Sequence, residues 1–212
     1  MEDRNMKGKF ITFEGCEGVG KSRQLSMFGE YLEKKGISHY FTREPGGEPI
    51  SEKIRNIILD KENQEMTDEC EAMLYAASRV QLLKRVIKPK LESGTLVVCD
   101  RYFDSSFAYQ AYARGLGKEF IAKINDYAIK NFTPDYTIFL NLSPEQAFKR
   151  KGGVDKGDRV ELSGKEFHEK VYQGYLEIAK ENPERVICID ASGERWETHS
   201  KIIEALKERG VI

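Results

Sequence analysis

Residues 9–23 read Lys-Phe-Ile-Thr-Phe-Glu-Gly-Cys-Glu-Gly-Val-Gly-Lys-Ser-Arg. The apolar run Phe10–Phe13 has the composition of a buried strand. Gly15-x-x-x-x-Gly20-Lys21-Ser22 follows, and a helical pattern opens at once behind it. This order has a physical reason. Glycines let successive backbone N–H groups curl into a nest around a phosphate, at a helix N-terminus whose dipole favours anions. Gly15, Cys16, Glu17, Gly18, Val19 and Gly20 form the nest, Lys21 can reach the outer phosphates, and the Ser22 hydroxyl can ligate Mg²⁺. A strand, a phosphate loop and a helix predict an α/β fold of P-loop NTPase type.

The rest of the chain has the same rhythm. Strand-like runs at Ile37–Thr42, Thr95–Cys99, Tyr136–Leu142 and Arg185–Asp190 alternate with helical patterns, which predicts a doubly wound parallel sheet of about five strands flanked by helices. Helices are expected at Lys21–Lys35 and Ile50–Leu59. A long one should start near Asp68, with Glu71 in capping-box style, and end or kink at Pro89. Two helical segments between Ser105 and Asn131 should divide near Gly115 and Gly117. Ser143-Pro-Glu-Gln146 reads as a helix start. Further helices are expected from Ser163 to about Lys180 and from Glu194 to Gly210. A single domain over 1–212 is expected, with a glycine-containing mobile lid at about 150–160.

Composition narrows the function classes. The 212 residues carry 34 Lys+Arg against 35 Asp+Glu, so no basic excess suggests a nucleic-acid coat. No apolar run approaches the ~20 residues of a membrane span. The polar N-terminal stretch reads as a short lead-in without a signal-peptide core. Cys16, Cys70, Cys99 and Cys188 contain no C-x-x-C pair. Reduced thiols in a cytoplasmic protein are the simpler reading. Cys16 has a second reading: inside the nest, beside Lys21, a thiolate is favoured, although Glu17 opposes it.

Other polar groups fall at strand ends, where open parallel sheets bind ligands. Arg43 precedes Gly46-Gly47. Asp100 follows Leu96–Cys99 in the manner of a Walker B carboxylate near Mg²⁺, and Arg101 offers a fork to phosphate. Tyr75 and Arg79 share a helix face, where one can stack on a nucleobase and the other bond its edge. Tyr75 alone also reads as a core aromatic. Ser105, Ser106, Tyr109 and Gln110 lie within a turn and a half, suited to a base or sugar, or to helix packing. Lys149, Arg150, Lys151, Lys156 and Arg159 surround the glycine loop, either as a solvated charge run or as cations that close over a transferring phosphoryl group.

Phe13–Ser22, Thr42-Arg-Glu-Pro-Gly-Gly47, Leu74-Tyr-Ala-Ala-Ser-Arg79, Asp100-Arg-Tyr-Phe-Asp-Ser-Ser-Phe-Ala-Tyr-Gln110, Pro134-Asp135 and Asp158-Arg-Val-Glu161 together resemble the thymidylate kinases, in family order over nearly the whole chain. The resemblance implies transfer of the γ-phosphoryl group of ATP to dTMP, giving ADP and dTDP, with Mg²⁺ as cofactor, in a cytoplasmic homodimer. It assigns residues 15–22 to ATP phosphates, and Arg43 and Arg101 to the dTMP phosphate. It places Tyr75 on thymine, where the family usually has Phe. Arg79 would sit at the thymine edge with Ser106 and Gln110. Tyr109 would lie near the sugar 2′ position, and Glu17 near the 3′-hydroxyl and phosphate. Gly18 replaces an arginine found in some relatives, which suggests the bacterial type in which the lid supplies it, with Arg150 and Arg159 as candidates alongside catalytic Lys21 and Arg101. Arg23, Ala111, Ala113, Gly152 and Val154 depart from the usual pattern. A GTP-binding switch would need Asn-Lys-x-Asp, and an ABC-type ATPase Leu-Ser-Gly-Gly-Gln; the sequence has neither.

Overall fold

In a computed structural model describing residues 7–150 and 157–212, five parallel strands form one sheet in the order β2-β3-β1-β4-β5. They are β1 (Phe10–Glu14), β2 (His39–Arg43), β3 (Leu96–Asp100), β4 (Tyr136–Asn141) and β5 (Val186–Asp190). β1 is central and every residue of it is buried, as expected for an apolar run covered on both faces. The chain leaves β1 toward β2 and leaves β3 toward β4, so the winding reverses at the β1–β3 pair. Ligands of open α/β sheets bind in the crevice at such a reversal. The register Phe13↔Asp100 sets the start of the glycine loop beside the end of β3.

Helices cover both faces. Phe13, Phe28, Leu32, Phe139, Val171, Tyr175 and Ile202 belong to one core. Phe10, Leu82, Ile87, Val97, Tyr102 and Phe132 belong to the other. Each such side chain taken out of water contributes about 1.5–3 kcal/mol before entropy is counted. The helices that build these cores are α1 (Lys21–Lys34), α2 (Pro49–Leu59), α3 (Asp68–Leu82), α4 (Lys88–Glu92), α5 (Phe103–Ser106), α6 (Lys118–Ile124), α7 (Asp126–Phe132), α8 (Pro144–Arg150), α9 (Lys165–Glu181) and α10 (Arg195–Glu208).

Four local expectations change. Pro89 does not end the long helix: a π-helical turn at Leu83–Ile87 precedes α4, and the proline sits in the first turn of α4, where a missing N–H costs little. Glu71 is not a capping residue. Thr67 caps α3, accepting from the Cys70 N–H at 3.3 Å, and Glu71 turns inward. The helix after β3 starts at Phe103 and passes into a π-helical stretch, Phe107–Ala113. A further break falls at Asn125, between α6 and α7. Residues 151–156, the middle of the expected lid with Lys151 and Lys156, lie outside the described residues. Among the described residues no helix is long and apolar enough to cross a membrane.

Candidate active site

The glycine loop joins β1 to α1. Gly15 has φ 143°, and a Cβ there would stand 2.9 Å from the Leu140 carbonyl oxygen, so only glycine fits. Gly20 caps α1 in the left-handed region with φ 96°. Cys16 and Val19 turn into the core and fix the loop from below. Lys21 is 8% exposed, with its ammonium 3.9 Å from Asp100 Oδ1. Burial first, then the repulsion of Arg101, holds the Lys21 pKa below the usual lysine value. Asp100 Oδ1 is buried and has no hydrogen-bond partner among the described residues. Ser22 is exposed beside it on the wall of the same cavity.

Cys16 is 2% exposed, and burial pushes its thiol up to about 12, overriding Arg101 and Lys21. The thiolate reading is thereby overturned, and Cys16 is an inert filler of the loop. Alkylation of the folded protein at pH 8 should label the exposed Cys70 first and leave Cys16 intact, as read by peptide mass mapping. Rapid labelling of Cys16 would contradict this.

Arg101 is fixed from several sides. Its backbone is left-handed, with φ 67°. Its guanidinium donates to Glu17, to the Gly15 carbonyl at 3.1 Å, to Ser105 Oγ at 3.2 Å and to the Tyr175 hydroxyl at 3.1 Å. It also lies over the Tyr109 ring, 5.1 Å from the centroid. Beneath it, the buried Glu14 carboxylate accepts from the Tyr102 N–H at 2.7 Å, Ser105 Oγ at 2.6 Å and the Tyr175 hydroxyl at 2.7 Å. Glu14 thus holds the two hydroxyls that hold Arg101.

One cavity joins these groups to the other candidates: Glu17, Lys21, Arg43, Tyr75, Arg101, Ser106, Tyr109 and Gln110 all line it. Tyr75 is half-buried, and the Tyr109 hydroxyl is buried with no hydrogen-bond partner among the described residues. Arg43, at the mouth, forms a two-point bond with Glu52 at 2.6 and 3.1 Å. Arg55, which sequence reasoning missed, also lines the cavity and donates to the Pro45 carbonyl at 2.9 Å. Asp158 and His168 complete the wall on the α9 side.

Arg79 differs from the expectation in placement. It is 1% exposed and lies behind the wall rather than on it. It bonds Glu44 Oε2 at 2.7 Å, Ser106 Oγ at 3.0 Å and the Asn125 side chain. Burial pushes the Glu44 carboxyl up to about 7, against the pull of Arg79. The break at Asn125 therefore has a purpose, since it turns an amide oxygen toward Arg79.

The two cations expected to flank the lid have separate surroundings. Arg150, at the end of α8, donates to the Ser192 and Gly193 carbonyls at 2.7 and 3.1 Å, beside the start of α10. Arg159 is 9% exposed; it bonds the Ile58 carbonyl at 2.8 Å and pairs with Glu71. Glu71, on α3, is thus a structural partner of Arg159.

Comparison with known proteins agrees with this architecture. A family model described as thymidylate kinase matches residues 13–202. The thymidylate kinase of Caldanaerobacter subterraneus subsp. tengcongensis is 45% identical over 203 residues, 96% of this chain and 97% of the relative. That of Finegoldia magna is 45% identical over 203 residues, covering 96% and 100%. That of Bacillus velezensis is 46% identical over 189 residues, covering 88% and 89%. With the family model spanning residues 13–202 and relatives about 45% identical over nearly the whole chain, the chain belongs to the thymidylate kinase family.

Proposed function

We propose that this cavity aligns dTMP against ATP for direct in-line transfer of the γ-phosphoryl group, giving dTDP and ADP. The chain is an ATP-dependent kinase of the thymidylate kinase family, and the reading concerns how its residues divide the work. The supporting observation is convergence: Lys21, Arg43, Arg55 and Arg101 line the same cavity as Tyr75, Ser106 and Gln110. Cations together with an aromatic and amide and hydroxyl groups suit the phosphate and the base of a nucleoside monophosphate. The loop of residues 15–22 holds the ATP phosphates. Arg101 and Arg43 hold the dTMP phosphate, Arg43 by exchanging Glu52 for phosphate. Tyr75 faces the base, Tyr109 the sugar, and Arg79 supports the base edge through Ser106. Phosphoryl transfer then proceeds by positioning and charge neutralisation, with no covalent enzyme intermediate.

Ser22 and the buried Asp100 oxygen, which accepts no hydrogen bond among the described residues, fit a hard cation, so these two would hold Mg²⁺, which would neutralise charge on the phosphate oxygens. Exposed Ile50 and Ile57 on α2 and Met73 on α3, two helices packed together, support a homodimer through these helices. The test of substrate choice is a rate comparison over dTMP, dUMP, dCMP and dGMP with MgATP. Preferred turnover of another monophosphate would reject the reading.

The lid cations should separate in the same assay. Arg150→Ala should lower kcat by about 10³ with dTMP affinity unchanged, as for an arginine contacting the transition state. Arg159→Ala should chiefly lower Tm, because a buried charged bond to Glu71 is lost, worth about 1.5–3 kcal/mol. Thermal melts with steady-state kinetics check both. Wild-type kcat in both variants would remove the catalytic cation from this lid.

A further inference from the structure

Glu71 stands on α3 one turn before Tyr75 and two turns before Arg79, on the same face. It is fully buried, and the phosphoryl-transfer chemistry does not use it. Its Oε1 accepts from Gln110 Nε2 at 2.9 Å and from Arg114 Nε at 3.3 Å. Its Oε2 accepts from Arg114 Nη2 at 3.1 Å and from Arg159. An ionised carboxylate can only accept. The NH₂ of the Gln110 amide must therefore face Glu71, and its carbonyl oxygen is the group left for the cavity that Gln110 lines. The two ends of an amide look alike, but this partner distinguishes them. Burial would raise the Glu71 pKa, but Arg114, Gln110 and Arg159 outweigh it and hold the group below the usual carboxylate range.

We propose that Glu71 is a positioning residue for base specificity: it locks the Gln110 amide with its carbonyl oxygen toward the base, so that the site accepts a pyrimidine carrying N3–H. Thymine and uracil have that hydrogen. Cytosine has a lone pair there, and two acceptors would face each other. A buried polar group left facing the wrong partner is the strongest source of rejection available to a binding site. The inference rests on the reading that Gln110 meets the base edge. A glutamine at position 71 removes the lock, because it can donate to the Gln110 carbonyl and let the amide turn over.

The experiment measures kcat/KM for dTMP and dCMP (dCMP also as a competitor of dTMP), KM for ATP, and Tm. The variants are Glu71→Gln, Glu71→Asp, Arg114→Met and Gln110→Met. Glu71→Gln should lower the dTMP:dCMP ratio at least about tenfold, the weight of one hydrogen bond, with the ATP KM unchanged. Glu71→Asp, still acceptor-only, should keep the ratio. Arg114→Met removes the same ion pair without touching the amide, so it should lower Tm and leave the ratio alone. If Glu71→Gln does not fold, the charge-balanced pair Glu71→Gln/Arg114→Met is read against Arg114→Met. A ratio unchanged in Glu71→Gln but lowered in Gln110→Met overturns the lock and leaves the base contact standing. A ratio unchanged in Gln110→Met overturns the base contact, and the lock with it.

Discussion

Lys21→Ala leaves a folded protein that no longer transfers phosphate. Removing one preorganised donor from a transferring oxyanion costs about 10²–10³ in kcat, and a full charge at the phosphate loop sets the upper end of that range or beyond. The fold survives for an electrostatic reason. Burial first, and then the repulsion of Arg101, depress the Lys21 pKa, so its charge is held in the folded state at a cost that Asp100, Glu17 and Glu14 offset only in part. Removing Lys21 removes that cost, and Asp100 is one-quarter exposed and keeps access to water. The check is circular dichroism and thermal melting beside steady-state kinetics. Near-normal turnover in a folded variant would sink the assignment.

Arg79→Ala has the largest expected effect on stability. Its guanidinium joins Glu44, Ser106 and Asn125, so truncation leaves Glu44 as a buried carboxyl with no cation. Breaking a buried pair by removing one partner costs about 3–5 kcal/mol. At about 2–4 °C per kcal/mol for a chain of this size, Tm should fall by about 10 °C. The pH dependence follows from Glu44. Its folded value, about 7, is above the ordinary 4.5. The native state therefore binds more protons between those values, and stability from this group declines as pH rises through 7. Without Arg79 the folded value moves higher still, and the decline continues to higher pH. The Tm gap to the wild type should be wider at pH 8 than at pH 5.5. Equal gaps would mean that Glu44 does not carry the effect. Because Arg79 also holds Ser106, dTMP affinity should fall with little change in ATP affinity.

These two residues show what the sequence could carry. Lys21 was legible because its chemistry is local: strand, loop and helix start are consecutive, and glycine spacing encodes the nest. The five strands were legible for a related reason, since a parallel sheet covered on both faces needs unbroken apolar runs such as Phe10–Phe13 and Leu96–Cys99. The position of Arg79 on the Tyr75 face of α3 was legible, but its burial behind the cavity wall was not, because Glu44 and Asn125 are 35 and 46 residues away. No periodicity links them. Glu14 and Tyr175, beneath Arg101, are 161 residues apart. Glu71 was misread for the opposite reason: a local capping pattern was available, and an inward network of Gln110, Arg114 and Arg159 took the side chain instead. The π-helical turns escaped because one extra residue per turn leaves the apolar pattern almost unchanged.

The left-handed backbone of Arg101 bears on how such a protein can be improved. A residue with a Cβ held at φ 67° costs roughly 1–2 kcal/mol relative to glycine. A thermostabilisation screen that ranks positions by backbone strain would place 101 near the top and recommend glycine or asparagine. The recommended change would release that strain but also remove the guanidinium that donates to Glu17, the Gly15 carbonyl, Ser105 and Tyr175, and the loss of that buried network costs more than the strain. A ranking by backbone angle alone therefore misjudges this position: the strained φ is what brings one fork to four acceptors at once.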